Sequence, residues 1–104
     1  MIEKVYQLTR SETKTVERLI MDENLHYAHI ILPPGETTPP HPSNANVYLT
    51  VVRGELTLRL EDQEAKIYEA DSLLTIPQGT QMDIRNQGQS ALELIIVKAP
   101  PPLD

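Results

Sequence analysis

Residues 33–54 read PPGETTPPHPSNANVYLTVVRG, and this stretch decides the fold expected of the chain. Pro33-Pro34-Gly35 predicts a sharp turn, because proline fixes its own φ angle and glycine tolerates the positive φ that other residues avoid. The prolines at positions 39, 40 and 42 keep the next segment extended and remove backbone donors from it. His41 is therefore held on a stiff, extended segment, which leads into an apolar strand closed by Arg53-Gly54.

The spacing of this stretch resembles the first motif of the cupin superfamily, in the form found in germin-type cupins. That motif runs Gly, five residues, His, one residue, His, three or four residues, Glu, six residues, Gly. In this chain the five motif positions are occupied, in order, by Gly35, His41, Ser43, Val47 and Gly54. Residues 33–54 are therefore identified as the first motif.

Residues 71–86 resemble the second cupin motif. That motif runs Gly, five residues, Pro, one residue, Gly, two residues, His, three residues, Asn. Its positions are occupied here by Asp71, Pro77, Gly79, Met82 and Asn86. The framework of proline, glycine and asparagine is mostly kept, and this favours the same fold.

The pattern of short strands separated by turn residues predicts an all-β sandwich or barrel. The resemblance narrows this to the double-stranded β-helix, or jelly-roll barrel, that cupins use. We expect one domain over residues 1–104, because a chain of 104 residues is long enough to bury one small hydrophobic core. Its parts are N-terminal strands in 1–32, the first motif in 33–54, the second in 71–86 and an extended proline-rich tail in 98–104. The expected strands are a possible edge strand at 2–8, then 13–21, 25–32, 47–52, 55–60, 66–68, 73–76, 82–86 and 91–97.

The resemblance also locates the family's four metal-ligand positions, and only His41 keeps a family ligand. Ser43, Val47 and Met82 occupy the other three positions, and neither a hydrocarbon nor a neutral hydroxyl is a good partner for a divalent first-row metal. We expect no cofactor, with His41 as the ligand if a metal binds. We expect a ligand-binding pocket around these four residues and Asn46. The alternatives are a His41 hydrogen-bonded to Ser43 or to backbone, a Met82 that fills the core and an Asn46 that shapes a turn.

Two further histidines, His26 and His29, lie on the strand that precedes the first motif. Successive residues of a strand point to opposite faces, and a separation of three places these two side chains on different faces. At most one of them can therefore join His41 inside the barrel.

The composition argues against several classes of partner and of chemistry. A formal net charge of −6 disfavours nucleic acid and anionic membranes as partners. The chain has no cysteine, so it has neither disulfides nor thiolate chemistry, and this fits a cytoplasmic protein. No segment approaches the length of a membrane-spanning helix.

Three functions remain open. The first is a small-molecule-binding, sensory or accessory cupin that has lost the usual metal centre. The second is a metal-dependent cupin enzyme, of the dioxygenase or isomerase type, that uses His41 with ligands outside the family positions. The third is a structural or interaction module whose barrel is filled by its own side chains.

A homodimer is expected, because the segments 47–52 and 91–97 are apolar on both faces and a barrel interior covers only one face of each. In the first segment Val47, Leu49 and Val51 are expected to point inward with His41. Tyr48 and Val52 then point outward and need a cover. The alternative cover is the N-terminal segment, residues 2–21, folded over the same face within one chain.

Overall fold

The computed structural model describes residues 1–103 and shows a double-stranded β-helix built from two facing antiparallel sheets. A five-stranded sheet has the order β1-β2-β9-β4-β7, and a four-stranded sheet has the order β3-β8-β5-β6. Within the described residues no helix occurs that could cross a membrane. The strands are β1 (Thr15–Met21), β2 (His26–Leu32), β3 (His41–Pro42), β4 (Val47–Arg53), β5 (Glu55–Leu60), β6 (Lys66–Glu69), β7 (Leu73–Ile76), β8 (Gln81–Arg85) and β9 (Leu92–Lys98).

The core lies between the two sheets and is aliphatic. In β4 the side chains alternate as expected, with Val47, Leu49 and Val51 buried and Tyr48 exposed. In β5 and β8 the inward residues are leucine, isoleucine and methionine. The side chains that form the continuous core are Leu32, Val47, Leu49, Val51, Leu56, Leu58, Ile76, Met82, Ile84, Leu92, Leu94 and Ile96.

The strands expected from the sequence form within one or two residues of their expected bounds, with one exception. The possible edge strand over residues 2–8 does not form. Residues 1–14, the N-terminal arm, are instead a segment without regular strand structure that lies against the outer face of the five-stranded sheet. The backbone N–H of Thr9 donates to the side chain of Glu17, at 3.0 Å, and not to a neighbouring strand. β3 was not expected, because two residues between prolines give no alternation to detect.

Two β-bulges change which face the flanking side chains occupy. The pairing of β4 with β9 shifts between Val51 and Arg53. Simple alternation would place Arg53 inside with Val51, but the bulge places it opposite Glu93 on the outer face. A second shift lies in β1, between Arg18 and Ile20.

The turn at Gly54 joins β4 to β5 and requires glycine for two independent reasons. Its φ is +82°, in the left-handed region. A Cβ atom there would collide with the carbonyl oxygen of Ala91 and would lie 2.9 Å from the Cα of Leu92. At the start of the second motif, Asp71 takes the place of the family's glycine and keeps a positive φ of 72°.

We expect Gly54→Ala to destabilise the protein by about 3 kcal/mol or more, because the strain of φ is added to a collision with backbone that cannot move aside. Gly79→Ala is the matched control, since Gly79 has a similar φ of +88° but open space where its Cβ would lie. The control should cost only about 1–2 kcal/mol. Urea unfolding of both variants measures the difference, and equal losses would contradict the close-approach argument.

Candidate functional site

The expected pocket residues lie on several elements, and the structure does not gather them around one open space. His41 lies on β3 directly opposite Met82 of β8. The His41 side chain is exposed, and its Nδ1 lies 2.9 Å from the carbonyl oxygen of Pro39. The expected inward direction of His41 is therefore corrected: the short β3 runs along the rim of the barrel, where its side chain reaches water.

Ser43 and Asn46 connect the first motif to the turn of the second. The Ser43 hydroxyl donates to the carbonyl oxygen of Pro77 at 2.9 Å and accepts from the Thr80 N–H at 3.2 Å. The Asn46 Oδ1 accepts from the N–H of Gln78 at 3.0 Å. Ser43 is buried and Asn46 is exposed. Both side chains thus use their polar atoms to hold the 77–80 turn.

The remaining two positions belong to the core. Val47 is 1% exposed and Met82 is 3% exposed, and both pack in the aliphatic cluster between the sheets. Neither carries a donor that Zn, Fe, Mn or Ni binds well. With the Ser43 hydroxyl already engaged, the set presents a single imidazole. The residues at the family positions therefore do not fit a transition-metal centre.

A cavity of about 60 Å³ lies on the inner face where β1, β2 and β9 end. The register places His26 opposite Lys98 and Ala28 opposite Ile96, and it also pairs Lys98 with Val47 on the other side of β9. The cavity is therefore a neighbour of the first motif at the mouth of the barrel, and we call it the mouth cavity. Its lining consists of Arg18, Ile20, Met21, His26, Tyr27, Ala28, Ile96 and Lys98.

The polar lining of this mouth cavity is basic. Burial lowers the pKa of Lys98, and the positive charge of Arg18 lowers it further. The Lys98 ammonium donates to the Oδ1 of Asn44 at 2.8 Å, a neutral partner that leaves its charge uncompensated. The cavity thus places the positive charges of Arg18 and Lys98 close to apolar side chains.

On the opposite, outer face of the same sheet, His29 is fully buried between two carboxylates. Its Nδ1 lies 2.8 Å from Glu17 and its Nε2 lies 2.5 Å from Glu93. Carboxylates only accept hydrogen bonds, so both contacts are satisfied when both ring nitrogens carry hydrogen. The expectation that His26 and His29 occupy opposite faces is confirmed.

Arg53 connects the N-terminal arm to this cluster. Arg53 donates through Nε to Glu93 at 2.7 Å and through its other nitrogens to the Ser11 carbonyl at 2.6 Å and to Glu12 at 2.8 Å. Burial raises the pKa of Glu93, but the hydrogen bonds from His29 and Arg53 outweigh this and leave it lowered. We call Glu12, Glu17, His29, Arg53 and Glu93 the charge network.

Sequence reasoning missed both the charge network and the mouth cavity. His29 and Glu93 lie 64 residues apart, so only the β2–β9 pairing brings them together. Arg53 reaches Glu93 because of a bulge that leaves no mark in the hydrophobic pattern. The available signals were weak: a histidine inside an apolar strand, and Glu93 as the sole charge in ALELIIV.

A family model described as the cupin domain matches residues 28–98 of this chain. The chain belongs to the cupin family. It is 45% identical over 103 residues to an uncharacterised protein of Methanocaldococcus jannaschii, covering 98% of this chain and 89% of that protein.

Solved structures agree with this cupin fold. A crystal structure described as an RmlC-like cupin family protein with a double-stranded β-helix fold, from Methanocaldococcus jannaschii, aligns with a TM-score of 0.93 and 44% identity. The alignment covers 96% of this chain and 93% of that one. The TT1209 protein of Thermus thermophilus aligns with a TM-score of 0.74 at 22% identity, covering 89% of each chain, and supports the fold alone.

The charge network of this cupin predicts a defined acid sensitivity. Hydrogen bonds from the Thr9 hydroxyl and N–H, together with His29, lower the pKa of Glu17 from its usual 4.5 to about 2. A lowered folded-state pKa contributes stability that is complete above pH 4.5 and is lost as the pH falls towards 2. We expect Glu17→Gln to lower the melting temperature at neutral pH, and the gap from wild type to narrow through that window.

Thermal melts of both proteins at a series of pH values measure this gap. Glu64→Gln, at an exposed turn position, is the control and should follow wild type throughout. A gap between Glu17→Gln and wild type that stays constant as the pH falls would contradict the role given to the Glu17 carboxylate.

Proposed function

We propose that this cupin is a small-molecule-binding, sensory or accessory protein that works without the family's usual metal centre, and that its ligand binds at the mouth of the barrel. The observation that carries the proposal is the mouth cavity, a space beside the first motif that is lined by both polar and apolar groups. Small-molecule sites commonly combine an apolar lining with a few convergent polar groups. The cavity adjoins the first motif through Lys98, which pairs with Val47 and donates to Asn44. The expected pocket residues His41, Ser43, Asn46, Val47 and Met82 lie outside its lining.

The loss of the metal centre is supported by the donor chemistry at the family positions. Within residues 1–103, no group of three or more His, Cys, Asp or Glu side chains is arranged to hold a metal ion. The alternative of an enzyme that uses His41 with ligands from elsewhere would need such a group. The cysteine-free composition adds support for a cytoplasmic location.

We expect purified protein to contain well under one equivalent of Fe, Mn, Ni, Zn or Cu, and EDTA to leave its melting temperature unchanged. The physical reason is that one exposed imidazole supplies only one of the three or four ligands that such a metal binds in proteins. Elemental analysis of wild type and His41→Ala measures it. Stoichiometric metal that disappears in His41→Ala would establish the metal-dependent alternative and overturn the proposal.

Binding itself is tested by an NMR screen of small polar and charged compounds against the uniformly ¹⁵N-labelled protein. We expect hits to shift the amide signals of Ala28, Ile96 and Lys98, which line the mouth cavity. Amides of β6, on the other sheet, serve as the internal control. A screen in which no compound shifts the cavity amides would favour the structural or interaction module, a function that the tightly packed barrel interior also supports.

We further propose that the protein is a homodimer that pairs through the outer face of β4 and β7. The arm bonds to Glu17 of β1 and to Arg53 of β4, and it leaves Tyr48, Val52 and Leu73 between 38% and 67% exposed. These three side chains carry no charge, so two copies of an acidic chain can approach there without bringing their carboxylates together. A second copy related by twofold symmetry would cover both patches at once.

We expect Val52→Asp to convert a dimer into a monomer while the barrel stays folded, because it places a charge in an apolar contact. Ile67→Asp is the matched control, since Ile67 is 63% exposed on the four-stranded sheet, away from the proposed interface. Sedimentation of both variants and wild type measures the mass. A wild type that sediments as a monomer at micromolar concentration would end this proposal.

A further inference from the structure

We propose that the mouth cavity takes the carboxylate group of a small aliphatic acid, held by Arg18, His26 and Lys98. This inference rests on the proposed function, because it names the class of ligand for the same site.

The concentration of basic groups at one cavity stands out in an acidic chain. Fifteen Asp and Glu side chains face nine Lys and Arg side chains, and the formal net charge is −6. Within residues 1–103, three of the nine have acidic partners: Lys14 has Glu36, Arg53 has Glu93 and Glu12, and Arg85 has Asp83. The others include Lys4, Arg10, Arg59 and Lys66, which are exposed, and the two that meet at this cavity. Over residues 1–103, neither Arg18 nor Lys98 takes part in an ion pair. Two cations that repel each other without a carboxylate between them favour an anion from outside.

A carboxylate in the turn beside this cluster is engaged in hydrogen bonds of its own. Asp22, in the turn between β1 and β2, accepts the backbone N–H groups of Asn24 and Leu25 at 2.8 and 3.1 Å. These two hydrogen bonds, with a smaller contribution from His26, lower the pKa of Asp22. Its hydrogen bonds are therefore used in the turn, and its charge acts on His26 but not on Arg18 or Lys98.

The size and the wall of the cavity favour a carboxylate over a bulkier or wholly polar anion. A cavity of about 60 Å³ takes only a small ligand. That space suits one carboxylate with a short chain. The apolar part of the wall is formed by Ile20, Ala28 and Ile96, of which Ala28 pairs with both Arg18 and Ile96, and it offers contact to methyl or methylene groups. A phosphate ion has no apolar part to use this wall.

The test is an NMR titration of the full chain with propionate and with propionamide, its neutral counterpart of nearly the same shape. Inorganic phosphate is titrated as a third probe. We expect propionate to shift the amides of Ala28, Ile96 and Lys98 in a saturable way at millimolar concentration. We expect at least tenfold weaker binding of propionamide and of phosphate.

Two variants test the named cations. Arg18→Gln and Lys98→Met should each weaken propionate binding at least tenfold, because each removes a charge-assisted hydrogen bond. Arg59→Gln and Lys66→Met, exposed on the four-stranded sheet, are the matched controls and should bind as wild type does. Arg18 is itself exposed, so its variant keeps the fold and the test stands even if Lys98→Met unfolds.

The outcomes separate this inference from the proposed function. If propionamide shifts the cavity amides as strongly as propionate, or if both cation variants bind propionate unchanged, the cavity binds small molecules but the carboxylate inference is overturned. If phosphate binds and propionate does not, the class of anion is wrong. If no probe and no compound of the screen shifts the cavity amides, the proposed function fails as well.

Discussion

The structure depends on one constraint: β4 and β9 are apolar on both faces, so both faces of the five-stranded sheet need cover. The four-stranded sheet covers the inner face and creates the aliphatic core around Leu49 and Leu94. The outer face is covered in part by the N-terminal arm. Burial of either apolar face of such a strand contributes about 25 cal/mol of stability for each Å² of apolar surface removed from water. The arm and the proposed second copy would therefore bury the outer apolar surface of this sheet, as the four-stranded sheet buries the inner one.

The arm is held by charge more than by apolar contact. Its Val5 and Leu8 side chains are 64% and 36% exposed. By contrast, Thr9 donates to Glu17, and both the Ser11 carbonyl and the Glu12 carboxylate accept from Arg53. A buried charge is costly unless it is paired and hydrogen-bonded. The two carboxylates beside His29 meet that condition, because Glu17 accepts from Thr9 and Glu93 accepts from Arg53. Loss of Arg53 would therefore leave Glu93, which is 16% exposed, without its cation, and would also remove the hydrogen bond that ties the Ser11 carbonyl to the sheet.

The fold could be predicted because its signals are local and periodic. The alternation in β5 and the spacing of Pro77, Gly79 and Asn86 are visible in single segments of sequence. Asn86 shows why that spacing matters: its Nδ2 donates to the carbonyl oxygens of Leu32 and Ser90, and its Oδ1 accepts from Gly88. The arm could not be predicted, because its position is set by Arg53, which a bulge turns outward. The mouth cavity could not be predicted either, since its lining comes from the ends of three strands that only register brings together.

The replaced positions of the first motif have a physical consequence for the barrel mouth. A metal bound by both motifs would join them from the inside. In this chain the Ser43 hydroxyl and the Asn46 amide join the motifs through the backbone of the 77–80 turn. Val47 and Met82 then fill the space below with hydrocarbon and thioether. The two motifs are thus joined by hydrogen bonds between protein groups, and within the described residues the basic side chains of Arg18 and Lys98 beside them take part in no ion pair.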